Sequence, residues 1–418
     1  MAFKMLDVIT IISIIQQTQA AGYAPRNNTI VFKTVHEFEI TSTWRDLTDK
    51  GRIVLPKNVY VHDADKRLVS LAGNNINLGG FLQGSPGQNK AKGLNGAPVF
   101  MRGDKVVVSW GYSYYIKPGS QISPIADVFE GYISKVSSHK PVELEVMDNM
   151  YILQKTQAPV NEWKGYTIGG MLQAIFNKVG LPFTTADKGP AGQGTGTDIG
   201  NYRTGNETIA QVLARLRKDY NFEASFRGNV LYCGAHFYDA ELLSHKPYPT
   251  FTFQDNIIKD DLSYVRIDDL TISEVASTVT DEYDGTSTKD GKQKTKKQSL
   301  QVLVTFKNGN LTPIPTPITP GQPVPDNTEG ERKTAFFPQA KTMQELTCLA
   351  TQDLKKFYYQ GFKGKFTTFG QPFIQHGDVI TIADTILPER NGNYWVRGVK
   401  YTGGIGGLRQ EIELDYKV

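Results

Sequence analysis

The chain has 418 residues, with 46 Lys and Arg against 42 Asp and Glu, for a formal net charge of +4. That near-balance excludes the strong electrostatic field on which nucleic-acid binding rests. Two cysteines, Cys233 and Cys348, are too few for a disulfide scaffold and read as small buried residues. Aromatic residues at 11%, with 40 Gly, favour strands and turns over a helical bundle.

Taken in order, residues 1–28 form an apolar N-terminal segment. Met5 to Ile15 is apolar apart from Asp7, Thr10 and Ser13. Lys4 before it and Ala20-Ala21 after it imitate a signal peptide, but Asp7 interrupts the apolar region. The segment is too short to span a bilayer, so no stable membrane anchor is expected. Polar residues at every third position predict a helix with one polar stripe, docked on this protein or on a partner.

Residues 29–159 read as a first β domain. Thr29 to Thr41 carries β-branched residues and Phe in broken alternation, and Ile53 to Leu55 begins a further strand region. Residues 79–96, rich in Gly, Asn and Gln, read as a long surface loop. Residues 160–245 read as a small α/β insert. It has a helix from Thr167, a plausible N-cap, to Gly180, a C-terminal stop. A second helix follows over 206–221, then a hairpin turning at Arg227-Gly228-Asn229.

Residues 246–418 read as a second β domain. Within it, 281–298 is polar and Lys-rich and reads as a mobile hairpin tip. The Pro-rich stretch 308–328, with six prolines, reads as an extended loop without a ladder. Met343 to Tyr358 reads as a helix with Leu346, Leu349, Ala350 and Leu354 inward.

Two stretches share one plan. Gly103-Asp104 opens Lys105 to Val108, then Val128 to Ile133 with Gly131, then Val142 to Val146, in which Glu alternates with apolar residues. Gly377-Asp378 opens Val379 to Ile382, then Tyr394 to Tyr401 with Gly398, then Gln410 to Tyr416 with the same alternation. A duplicated β unit follows. The fold class expected is β-rich α+β, with two similar antiparallel β-barrel domains and a small α/β insert between them.

No catalytic, cofactor-binding or metal-ligating residue is assigned. The six histidines have no metal-ligand spacing, and His62-Asp63-Ala64-Asp65 reads as a solvated turn. Gly189 to Gly200 lacks the Gly-x-Gly-x-x-Gly spacing, and Gly285 to Lys292 departs from a P-loop in glycine spacing and at Gln293. Asp260 with Asp261 is a carboxylate pair whose sequence adjacency says nothing about glycosidase geometry.

The order of these pieces resembles the baseplate hub proteins of contractile phage tails and the hub portion of type VI secretion spikes. The residues that carry the resemblance are Thr43 to Lys50 leading to Ile53 to Lys57, Gly103 to Val108, Phe129 to Ile133, Leu144 to Lys155, and Gly377 to Val418. The resemblance implies a homotrimer in which two similar β-barrels per chain form a pseudo-sixfold ring. The ring joins the hexameric tail tube protein to the trimeric spike protein, among other baseplate proteins. It implies a place in the virion tail baseplate, assembled in the host cytoplasm, with a tape-measure protein or DNA in the channel. It implies no enzyme activity. Glu411, Glu413 and Asp415 are then expected to face lumen or solvent. The chain departs from the family's pattern in its apolar N-terminus and Pro-rich loop. Two alternatives stand beside this: a tail-associated cell-wall hydrolase with its site in the insert, and a carbohydrate- or surface-binding β protein using the loops 79–96 and 308–328.

Overall fold

Period-two alternation forms strands throughout the chain, and strands from both halves join a single sheet. The computed structural model describes residues 5–19, 26–56, 60–62, 68–70, 99–116, 119–122, 125–137, 141–187, 201–220, 223–234, 247–289, 292–319, 321–325, 330–337, 340 and 342–418. The first part supplies β1 (Met5–Ile15), β2 (Thr29–Phe32), β3 (Glu37–Thr43), β4 (Lys50–Val54), β5 (Tyr60–His62), β6 (Leu68–Ser70), β7 (Lys105–Ile116), β8 (Gly119–Ile122), β9 (Ala126–Val136), β10 (Glu143–Met147) and helix α1 (Met150–Lys155). Next come β11 (Asn161–Lys164), α2 (Ile168–Val179), β12 (Thr184–Asp187), β13 (Asn201–Thr204), α3 (Ile209–Tyr220), β14 (Glu223–Arg227) and β15 (Val230–Gly234). The last part holds β16 (Thr250–Thr252), β17 (Ile257–Val265), β18 (Thr271–Lys289), β19 (Lys292–Lys307), β20 (Ile314–Ile318), β21 (Glu331–Phe336), α4 (Met343–Lys355), β22 (Gly361–Phe369), β23 (Val379–Ala383), β24 (Gly392–Gly404) and β25 (Arg409–Lys417).

Fourteen strands form one sheet along the path β17-β22-β25-β24-β3-β4-β10-β9-β7-β1-β2, with β23 and β16 beside β24 and β8 beside β7. This corrects the expectation of two closed barrels: no closed barrel is found among the described strands. The seam is β24 on β3, with Tyr401 opposite Ile40. Alternation reports which side chains face inward, and it is the same for a barrel wall and an open sheet. The two halves also share one core. Trp110 of β7 is fully buried and meets the Tyr401 ring of β24 edge-on at 5.4 Å. The Tyr112 hydroxyl accepts from Gly370 N–H at 2.8 Å, across the same seam.

The duplicated unit recurs at the level of single hydrogen bonds. In the first copy Gly103 N donates to Ile133 O, and Ile133 N donates to Asp104 O, at 2.8 and 2.9 Å. In the second, Gly377 N donates to Val396 O and Val396 N to Asp378 O, again at 2.8 and 2.9 Å. Both turns close on an aspartate whose side chain accepts a backbone N–H from three residues back, Met101 N for Asp104 and Gln375 N for Asp378, each at 2.8 Å. Both glycines sit at positive φ, +91° and +78°, where a side chain is strained. The strand after each turn pairs antiparallel with the second strand of its unit, and that strand with the third.

The N-terminal helix expectation is wrong. Met5–Ile15 is β1, paired with β7 along its whole length from Met5 opposite Tyr115 to Ile15 opposite Lys105. Seven of its eleven residues are β-branched, which disfavours a helix and suits a pleated surface. Thr10, Ile12, Ile14 and Gln16 point inward at period two. The three-residue spacing of Asp7, Thr10 and Ser13 was a coincidence of composition.

The Pro-rich stretch does carry a ladder. Ile314–Ile318 pairs antiparallel with β19 at the edge of a four-stranded sheet, β20-β19-β18-β21. Its prolines, 315 and 317, alternate with Ile314, Thr316 and Ile318. Period two turns both donor-less nitrogens to the free edge, where an edge strand tolerates them. The Lys-rich stretch 281–298 is in part ladder: β18 and β19 pair with Asp281 opposite Lys297 and Glu282 opposite Lys296, and again with Lys289 opposite Lys292 after a register shift between Tyr283 and Thr288. α4 packs Leu346, Ala350 and Leu354 onto this sheet behind a capping box formed by Thr342 and Glu345.

The insert has its own core, built from α2, α3 and the β12-β15-β14 sheet, and it extends back to Met150 and Leu153 of α1. α2 begins on Thr167, whose hydroxyl accepts from Gly170 N at 3.1 Å, and ends on Gly180 in the left-handed conformation, as its sequence predicts.

Candidate functional site

The insert is clamped to the main sheet at the tip of its hairpin. Arg227, at the tip of the β14–β15 hairpin, donates to Gln375 Oε1 at 2.9 Å and to Asp378 Oδ1 at 2.8 Å. Asn149 Nδ2 reaches Gly228 O at 2.7 Å. Asp378 is thus tied to an arginine, as its counterpart Asp104 is tied to Arg26 at 2.7 Å.

Behind this clamp is a cavity of about 210 Å³ lined by residues from β3, β9, the β14–β15 hairpin and the 375–376 turn, with Asp49 before β4 and Asp148 and Asn149 before α1. Ser42 Oγ stands between two partners, 2.6 Å from Asp49 Oδ2 and 2.6 Å from His376 Nδ1. All three are buried or nearly so. Burial pushes the Asp49 carboxyl up to about 7, against hydrogen bonds from Ser42 and from Thr43 N. Burial, and then Arg227, pulls the His376 imidazole down to about 3. Asp148 N donates to Asp49 O, and its own carboxyl is raised well above the usual range by burial and then by Asp49.

Serine, histidine and aspartate together invite a hydrolase reading, but their order argues otherwise. In a nucleophilic triad the carboxylate orients the far side of the imidazole and the imidazole activates the serine. Here the serine lies between the other two, and His376 and Asp49 are 3.9 Å apart. An imidazole held near 3 is a poor base at neutral pH. The arrangement is a buried proton-sharing brace joining β3 to the second Gly-Asp turn.

The outward face of the main sheet is ionic. Across β22, β25, β24, β3, β4, β10 and β9 its side chains pair strand to strand. Lys365 meets Glu411 at 2.9 Å, Arg397 meets Glu413 at 2.9 Å, and Lys400 meets Glu39 at 3.0 Å. Arg52 lies between Glu37 and Glu143 at 4.0 and 3.6 Å, and Lys135 meets Glu145 at 2.9 Å. Exposed pairs of this kind stabilise by roughly 0.2–1 kcal/mol each and are screened by salt. Their main effect is a charge-balanced, hydrated surface. Glu411 and Glu413 are on it as expected. Asp415 is not: it is 5% exposed, covered by Arg397 at 3.3 Å and Arg45 at 3.6 Å. Alternation stops at Asp415 because Leu414, Asp415 and Tyr416 are all buried.

Of the positions weighed in the sequence, Asp260 and Asp261 lie exposed on β17. Residues 63–65, the loop 79–96 and all of 189–200 lie outside the described residues. Cys233 is buried, but Cys348 is exposed on α4. Among the described residues, no three His, Cys, Asp or Glu side chains gather as a metal site, and no helix is long and apolar enough to cross a membrane. Sequence reasoning missed the Ser42–Asp49–His376 cluster, whose histidine is 334 residues from its serine.

No protein-family model and no curated protein matches this sequence. Solved structures do match. The tail protein from Neisseria meningitidis MC58 aligns over 97% of this chain and 96% of its own, at 13% identity and a TM-score of 0.50. The 43 kDa tail protein of prophage MuSo2 from Shewanella oneidensis aligns over 98% of both chains, at 10% identity and 0.48. A chain of the Francisella PdpA-VgrG complex aligns over 99% of this chain and 53% of its own, at 7% identity and 0.48. The chain shares its fold, end to end, with the Neisseria tail protein.

Proposed function

We propose that this chain is a structural baseplate hub of a phage tail or tail-like injection machine. It is a homotrimer in which the two similar β units of each chain make a pseudo-sixfold ring between a hexameric tail tube and a trimeric spike. The observation that carries the reading is the end-to-end fold match to a tail protein. The repeated Gly-Asp unit supports it, because two like units in each of three chains offer six like surfaces. The balanced ionic face suits a channel wall past which a tape-measure protein or DNA moves without being held. The role is structural and sited in the virion tail baseplate, with assembly in the host cytoplasm.

Light scattering on the purified protein, alone and with candidate tube and spike proteins, tests this. The expected mass is three times the 46.5 kDa of one chain when the protein is alone, or three such chains plus the bound spike once the spike is added. A monomer indifferent to both partners overturns it.

A further inference from the structure

A second cavity, about 240 Å³, lies where the four-stranded sheet meets the main one. Four cationic side chains reach it from four segments: Arg45 beyond β3, Lys333 on β21, Lys363 on β22 and Arg397 on β24. Three carboxylates also line it, and each already has a cation. Glu331 has Lys333 at 3.3 Å, Glu413 has Arg397 at 2.9 Å, and Asp415 has Arg397 and Arg45 at 3.3 and 3.6 Å.

Lys363 is left over. Among the described residues no carboxylate lies within 4.0 Å of its ammonium, which sits 5.5 Å from the centre of the Tyr359 ring. Burial first, and then Lys333 and Arg397, outweigh the pull of Glu331 and hold its pKa below the ordinary lysine value. The Nε atoms of Arg45 and Arg397 are buried without an acceptor, against one acceptor without a donor, Oδ2 of Asp415. The cavity therefore has donors in excess, beside the aromatic rings of Phe357 and Tyr359.

We propose that this cleft binds one small oxyanion, a carboxylate or a phosphate group. Its volume falls below the roughly 300–1,000 Å³ of pockets for drug-sized ligands, so it fits an acidic group on a short stem and not a nucleotide. Guanidinium groups supply directed donors to such an oxyanion, and the lysine supplies a point charge. Two sources carry this chemistry, an acidic side chain of a partner protein and free phosphate. The inference does not depend on the trimer.

Isothermal titration calorimetry of the full chain with two probes, inorganic phosphate and a capped tetra-glutamate peptide, tests it. The expected result is saturable binding at one site per chain. Lys363→Met weakens it about tenfold or more, the effect of one charge-assisted hydrogen bond. Lys400→Met, on the ionic face, leaves it unchanged. Lys363→Gln replaces the Met variant if circular dichroism shows that variant unfolded. Binding of phosphate alone assigns a free ion as ligand, and binding of the peptide assigns a protein-borne carboxylate. No saturable binding of either probe, or equal weakening by the Lys363 and Lys400 substitutions, overturns the site.

Discussion

Replacing Asp104 by Ala costs the fold about 3–5 kcal/mol, because it strands a buried arginine. The Asp104 side chain is fully buried and that of Arg26 is 3% exposed. The carboxylate accepts from Arg26 Nη1 and Nη2 at 3.0 and 2.7 Å, and also from the backbone N–H groups of Gln17, Thr18 and Met101. Removing it leaves a buried guanidinium without a counter-charge, held only by the carbonyls of Thr18 and Val99, and three N–H groups without an acceptor. The equivalent change at Asp378 is milder, about 1–2 kcal/mol. Its partner Arg227 keeps Gln375, and both side chains are about a fifth exposed. Urea denaturation of the two variants side by side measures this. If Asp104→Ala lost no more than Asp378→Ala, the buried pair would not be the anchor of β1 that the structure makes it.

The second large effect is on pH dependence, and it separates the members of the buried brace. The native pKa of Asp49 is raised from 3.8 to about 7, so between those values the folded state holds a proton that the unfolded state has lost. Its contribution is present below about pH 4 and is lost as pH rises to 7, by about 1.4 kcal/mol per pH unit. The native pKa of His376 is lowered from 6.5 to about 3, so its sign is opposite: stability is lost as pH falls from 6.5 toward 3. Asp49→Asn therefore gains on the parent protein as pH rises from 4 to 7, by up to about 4 kcal/mol. His376→Gln does the reverse, and its cost grows as pH rises from 3 to 6.5. Glu223, also raised by burial, acts alike in both variants and in the parent, whereas Asp148, raised by burial and then by Asp49, relaxes in Asp49→Asn and adds to that variant's gain with the same sign. Denaturation midpoints at several pH values check it. Parallel stability curves for all three proteins would refute the buried brace.

Much of the fold was legible from local pattern. The caps of α2, the hairpin at Arg227-Gly228-Asn229 and both Gly-Asp units are sequence-local, and each folds as read. Burial of Ile412 and Leu414 likewise follows from alternation. What failed was non-local or a tie between periods. Met5–Ile15 carried both a three-residue polar spacing and a β-branched run, and pairing with β7 decided it. Ile314–Ile318 was hidden by prolines that only an edge tolerates. The seam of β24 on β3 joins residues more than 350 apart, and nothing in either strand announces the other. The candidate sites were illegible for the same reason. Ser42 and His376, or Lys363 with Arg45 and Lys333, meet only after the sheet has formed.

Cryo-electron microscopy of the purified assembly tests the central claim most directly. The account predicts three chains about one axis, with six Gly-Asp units, Gly103-Asp104 and Gly377-Asp378 of each chain, at closely similar radii and alternating around the ring. Single chains, or a ring in which the two units of a chain lie at unrelated radii, would contradict it.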